Sequence, residues 1–285
     1  MSDHAYCLKL EENFASFLRS WGPIRWSQDF DRVDRRPDQG LADMLAALSD
    51  IEDESFYMQL KIRYSGNERL AAIRSFNAIW LAEESEHARA LAALSSCYGR
   101  ATTRYRRRAR WYTDGRSIKS VPVLKMGAAV YPKGMLAAYL TVGGLQEYVA
   151  LTSYNAIAEL TGDPVAKDIL SQISRQEGRH MRFYRRGAEA VLDNDIRCQR
   201  FVKLVLSRFW RPPGVDLLGI DNWTRIFRRV LDDPTVLSRF RRMDELCGEL
   251  PGLDGTRLME PFLDRYVVGQ IDSAVHVPGR RAAVA

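Results

Sequence analysis

The chain has 285 residues, 46% of them apolar and 27% charged, which excludes disorder over most of its length. No uninterrupted run of ~18 apolar residues exists to form a membrane span. Lys and Arg number 42 against 36 Asp and Glu, a formal charge of +6 that favours acidic partners without naming one. The opening MSDHAYCLKLEENF lacks a basic stretch followed by an apolar one, so no signal peptide is read and a cytoplasmic location is expected. Cys7, Cys97, Cys198 and Cys247 are scattered and form no CxxC pair, which argues against a zinc ribbon, a redox dithiol or a disulfide scaffold.

Taken in chain order, prolines mark out the long elements. None occurs between Pro37 and Pro122 or between Pro164 and Pro212, and both gaps carry helical periodicity. The first gap divides at Ser65-Gly66-Asn67, where Gly66 suits a left-handed helix end and Asn67 a cap. A first helix is thus predicted over about 39–65 and a second over about 68–97. Ile73, Phe76, Trp80, Leu91 and Leu94 form the apolar stripe of the second. Residues 99–132 lack a period and read as a long connection. A third helix is predicted over about 133–160. Thr161-Gly162-Asp163-Pro164 supplies a stop, a cap and a first-turn proline for a fourth, over about 164–192.

Two helix pairs joined by a long crossover is the connectivity of ferritin-like four-helix bundles, so the expected class is all-α. Residues 196–270 read as shorter helices broken at 211–214, 233–234 and 251–252. The expected organisation is one domain over 1–273, with its core bundle at about 39–192 and a disordered tail over 274–285.

Two of the four histidines lie three residues after a glutamate: Glu84 and His87 on the second helix, Glu177 and His180 on the fourth. Residues at that spacing share a helix face. Both pairs fall inside apolar stripes, where polar groups are costly unless paired or metal-bound. Glu147 falls on the same face as Leu140, Leu151 and Tyr154 of the third helix. It precedes Glu177 by 30 residues, and the same offset from Glu84 gives Glu54 on the first helix. Helical phase does not settle that choice, because Glu52 shares a face with Leu41, Leu45 and Leu48; the internal symmetry favours Glu54. Four carboxylates would balance two divalent ions, and mixed oxygen and imidazole donors suit iron or manganese.

The runs Trp-x-Ala-Glu-Glu-x-x-His (80–87) and Glu-x-Arg-His (177–180) resemble the motifs of the soluble acyl-acyl-carrier-protein desaturases. Gln146-Glu147 is similar to that family's third-helix ligand region, and Ser49 to Glu54 loosely to its first. The resemblance covers roughly residues 40–190. It implies that Glu54, Glu84, His87, Glu147, Glu177 and His180 ligate two irons, with Glu84 and Glu177 bridging and catalytic. It also implies O2 as co-substrate, an acyl carrier protein bearing the substrate, and a homodimer. Three positions depart from the family pattern: Ala88, Gln176 and Met181 stand where it has Gly and two acidic residues.

No G-x-G-x-x-G follows a strand, so no dinucleotide unit is read and electrons are expected from a ferredoxin or similar protein. Arg104, Arg106, Arg107, Arg108 and Arg110 could dock an acidic carrier or ferredoxin. Aromatics interleave with them, but a nucleic-acid partner is not expected. Gly143, Gly144 and Ala150 either leave room for a chain beside the metals or allow close helix packing. The leading expectation is a di-iron desaturase or desaturase-like oxidase. Its competitors are a di-iron hydroxylase or N-oxygenase, a ferritin-like iron-handling or radical-generating protein, and an inactive bundle kept as an interaction partner.

Overall fold

The computed structural model describes residues 3–22, 30–36, 38–55, 66–99 and 122–268. Among them there are helices and turns and no strand. The helices are α1 (Asp3–Ser20), α2 (Gln39–Asp53), α3 (Ala71–Cys97), α4 (122–130), α5 (Pro132–Leu160) and α6 (Pro164–Leu192). Then follow α7 (Ile196–Phe209), α8 (Val215–Leu218), α9 (Ile220–Leu231), α10 (Pro234–Gly248) and α11 (Met259–Leu263).

Helices α2, α3, α5 and α6 form a four-helix bundle of two antiparallel hairpins. In the first, Ser49 Oγ donates to the carbonyl of Ala88 and Ser95 Oγ to that of Ala42. Residue numbers rise along one helix as they fall along the other. In the second, only residues 161–163 separate the two helices. Asp163 accepts from the amides of Val165 and Ala166 at 2.7 and 3.0 Å, and Pro164 occupies the first turn. The cap satisfies amides that an uncapped helix start leaves unpaired. Asp163 also accepts from the Asp34 amide, tying the short turn at Phe30–Arg32 to this end of the bundle.

Gly143 is where the second hairpin closes most tightly. A Cβ there would lie 2.5 Å from the Tyr184 ring, and one on Gly144 3.4 Å from Tyr184 Cβ. Both glycines therefore serve close packing of α5 on α6, the plainer of their two sequence readings. Helix α1 covers the other side of α6: Asn13 Nδ2 donates to the carbonyl of Phe183, and Phe17 meets Phe76 and Phe183 edge-on. The C-terminal helices pack back on the second hairpin, with Tyr148 donating to the Arg239 carbonyl. One apolar core runs through all of this from Leu10 to Val267.

Two expectations need adjusting, and three others lie outside the described residues. Residues 122–130 are helical rather than part of a structureless connection. Tyr131 breaks the path at φ −146°, because the residue before Pro132 is driven out of the helical region. Gly66 is left-handed at φ +76° as its sequence suggests, but Asn67 begins a 3-10 turn and α3 starts at Ala71 without a side-chain cap. The first bundle helix has its C-cap at Glu54, and its expected continuation over 56–65 lies outside the described residues. The arginine cluster at 104–110 and the tail at 274–285 also lie outside them. No described helix is long and apolar enough to cross a membrane.

Candidate metal centre

Each of the four bundle helices turns at least one carboxylate into the bundle interior. Two groups of donor atoms gather there: Glu52, Glu84, His87 and Glu177 in one, and Glu84, Glu147, Glu177 and His180 in the other. Within each group the atoms lie within 4.8 Å of one another, and all six residues are buried. Glu84 and Glu177 belong to both. The arrangement is that of two adjacent cation positions sharing two carboxylates, with one further carboxylate and one imidazole each.

Five of the six sequence candidates, Glu84, His87, Glu147, Glu177 and His180, come together here. Glu54 does not. It sits half-exposed at the C-cap of α2, in neither group, and Glu52 takes its place. The reason is geometric. Glu52 extends the stripe Leu41–Leu45–Leu48 by one more turn, whereas Glu54 is rotated away from it. The 30-residue offset misleads because the carboxylates brought together in the first hairpin, Glu52 and Glu84, stand 32 residues apart, whereas Glu147 and Glu177 stand 30 apart.

The imidazoles are oriented from behind. His180 Nε2 donates to Glu83 Oε2 at 2.7 Å, and His87 Nε2 donates to Gln176 Oε1 at 2.6 Å. Gln176 in turn donates to Glu83 Oε1 at 2.9 Å, and Arg179 reaches the same oxygen at 3.2 Å. With Nε2 engaged, each Nδ1 faces the carboxylates. His87 Nδ1 lies 3.0 Å from Glu177 Oε1, and His180 Nδ1 3.2 Å from Glu84 Oε1. Each outer carboxylate accepts from an aromatic side chain: Trp80 Nε1 gives to Glu147 Oε1 at 2.9 Å, and the Tyr154 hydroxyl to Glu52 Oε1. Phe17 and Phe76 pack beside the His180 ring, with centroids 6.4 and 6.1 Å away, and keep that flank apolar.

Burying so many carboxylates has a visible electrostatic consequence. Burial, reinforced by the charges on Glu52 and Glu177, pushes the Glu84 carboxyl well above its usual range. Burial and the Glu177 charge do the same to Glu147. Glu177 goes the other way: burial would raise it, but both imidazoles hold it low. Burial would depress His87, yet the Glu177 carboxylate lifts it to about 9. Glu83 stays below its ordinary value despite burial, because His180 and Arg179 outweigh it. The cluster therefore binds protons where divalent cations would otherwise balance its charge. Two buried oxygens, Glu84 Oε1 and Glu177 Oε1, make no hydrogen bond although imidazole nitrogens are close. These are the shared carboxylates, and a cation between them would satisfy both atoms. The donor set fits a metal.

Sequence reading missed the residues behind the ligands. Glu83 neighbours Glu84, and Tyr154 follows Glu147 by seven residues, two turns along one face; that spacing was the available signal. Of the three departures from the desaturase pattern, only the Gln176 side chain hydrogen-bonds one of the six donor residues. Met181 faces away, into an apolar crevice with Leu145 and Tyr148. The buried Ala88 contributes its carbonyl to Ser49. A cleft of about 500 Å³ between α1 and α6 is lined by Lys9, Glu12, Arg19 and Arg186 among others, and none of the six donors lines it.

Fold and site together define an all-α bundle with a buried carboxylate–histidine cluster able to hold metal. No protein-family model, curated protein or solved structure matches this chain.

Proposed function

We propose that the chain is a di-iron, O2-dependent oxidase of the desaturase type, acting on an acyl chain carried by an acyl carrier protein. The observation that carries this reading is the pair of donor groups sharing Glu84 and Glu177. A set of oxygen and nitrogen donors of this kind suits iron. The bound metal pair would supply the oxidising power needed at an unactivated C–H bond.

The chain's own residues bind, orient and exclude water. Glu52 and Glu147 would each serve one position, Glu84 and Glu177 would serve both, and the imidazoles would complete each donor set through Nδ1. Glu83 and Gln176 fix the imidazole tautomers by taking the Nε2 protons. Trp80 and Tyr154 steady the outer carboxylates. The aromatic packing of Phe17, Phe76 and Phe183 keeps bulk water from that side. Electrons would come from a separate reductant such as a ferredoxin.

A second reading, hydroxylation or N-oxygenation, is favoured by one observation: Gln176, a neutral amide, backs His87 where the desaturase pattern has an acidic residue. Mass spectrometry of acyl carriers, after incubation with ferrous iron, O2 and a reducing system, separates the two. A product lighter by two hydrogens supports the first reading, and one heavier by an oxygen atom supports the second. Unchanged carriers across a range of chain lengths, with the metal centre loaded, would contradict the acyl substrate.

A further inference from the structure

The two donor groups match in their ligands but not in what stands behind them. Each has the shared pair Glu84 and Glu177, one outer carboxylate and one imidazole. Behind His180 stands a carboxylate, Glu83, accepting the Nε2 proton at 2.7 Å. Behind His87 stands the neutral amide oxygen of Gln176 at 2.6 Å. A carboxylate partner draws the proton more strongly and leaves Nδ1 richer in electron density, so His180 is the better donor. Arg179 and the Gln176 amide both donate to Glu83 Oε1, the oxygen turned away from His180, so Glu83 acts on His180 directly and on His87 only through the Gln176 amide. The outer carboxylates reinforce the difference. Glu52 accepts from a phenol, Glu147 from an indole. The phenol is the more acidic donor and withdraws more density from its carboxylate.

We propose that the two metal positions are unequal, and that the one formed by Glu147 and His180 binds divalent cations more tightly than the one formed by Glu52 and His87. The tight position would stay filled when metal is scarce, and the weak one would decide whether the centre is complete. This rests on the two-metal reading above and adds to it an order of filling and a residue, Glu83, that sets it. Glu83 is a positioning residue, since it acts through His180.

Cobalt(II) serves as the probe, because it binds oxygen and nitrogen donors and its visible absorption reports the coordination sphere. Stepwise binding to the native chain would not decide the matter, since two equal positions sharing carboxylates also fill in sequence. Single-position variants do decide it. Glu52→Ala leaves only the Glu147/His180 position, and Glu147→Ala leaves only the other. Calorimetric titration is expected to show one cobalt bound by each variant, with Glu52→Ala binding about 10–100-fold more tightly, the range through which such outer partners act. Adding Glu83→Gln to Glu52→Ala should remove most of that advantage and change the cobalt spectrum, while apoprotein melting is followed to confirm folding. Equal affinities, or tighter binding by Glu147→Ala, would overturn the inequality while leaving the two-metal reading standing. A native chain that saturates at one cobalt or none would overturn both.

Discussion

Glu84 and Glu177 each face both imidazoles, so losing either disturbs both positions, whereas Glu52 and Glu147 each serve one. Replacing Glu52 with Ala should lower metal capacity by one ion per chain. Replacing Glu54, half-exposed at the end of α2, should leave capacity unchanged. Metal content after dialysis checks both, and the opposite pattern would return the ligand to Glu54. The contrast also shows what could be read from the residues alone. Glu84, His87, Glu147, Glu177 and His180 were legible because each interrupts an apolar stripe at a spacing that only a shared partner explains. Glu52 was visible in the helical phase but outweighed by a 30-residue repeat that the first hairpin, with Glu52 and Glu84 32 residues apart, does not keep. Glu83, Gln176, Trp80 and Tyr154 were not legible in role, because their partners lie on other helices. Which side chain meets which across a bundle depends on register, and register is not written in any single helix.

Helix α5 meets α6 across glycines, and that contact sets how far Glu147 stands from Glu177. Alanine at Gly143 would place its Cβ 2.5 Å from the ring of the buried Tyr184. Overpacking of this kind costs about 1–3 kcal/mol. Gly143→Ala should lower the denaturant midpoint accordingly. Gly162→Ala, where a Cβ meets nothing within 4 Å, should leave it nearly unchanged. Equal effects at the two sites would mean that α5 and α6 are not closely packed at Gly143. At this scale the sequence was most informative where local chemistry decides. The Asp163-Pro164 and Asp233-Pro234 starts stand where they were read, Asp163 accepting from two amides of the following turn and Asp233 from one. It was least informative for α4, a short segment without a clear apolar period whose end is dictated by Pro132.

For the molecule as a whole, the cluster makes both stability and metal binding depend on pH. His87 has its pKa raised from 6.5 to about 9, so its contribution to the apoprotein is full below 6.5 and disappears as pH rises through about 9. Glu84 and Glu147 are also raised, and as pH rises through their elevated values the apoprotein must bury unbalanced negative charge. Glu177 runs the other way and loses its contribution only in acid. The melting temperature of the apoprotein should therefore fall between pH 6.5 and about 9, while that of the metal-loaded protein should stay flatter. Loading must displace the same protons, so affinity should rise with pH, and titration in buffers of different ionisation enthalpy should show proton release. An apoprotein melting temperature that rises over this range would mean the cluster is not protonated as described. The proposal for the described bundle is two metal positions built from Glu52, Glu84, His87, Glu147, Glu177 and His180. Elemental analysis of the chain reconstituted anaerobically with ferrous iron tests it most directly. Two irons per chain are expected at saturation, and one iron or fewer would overturn it.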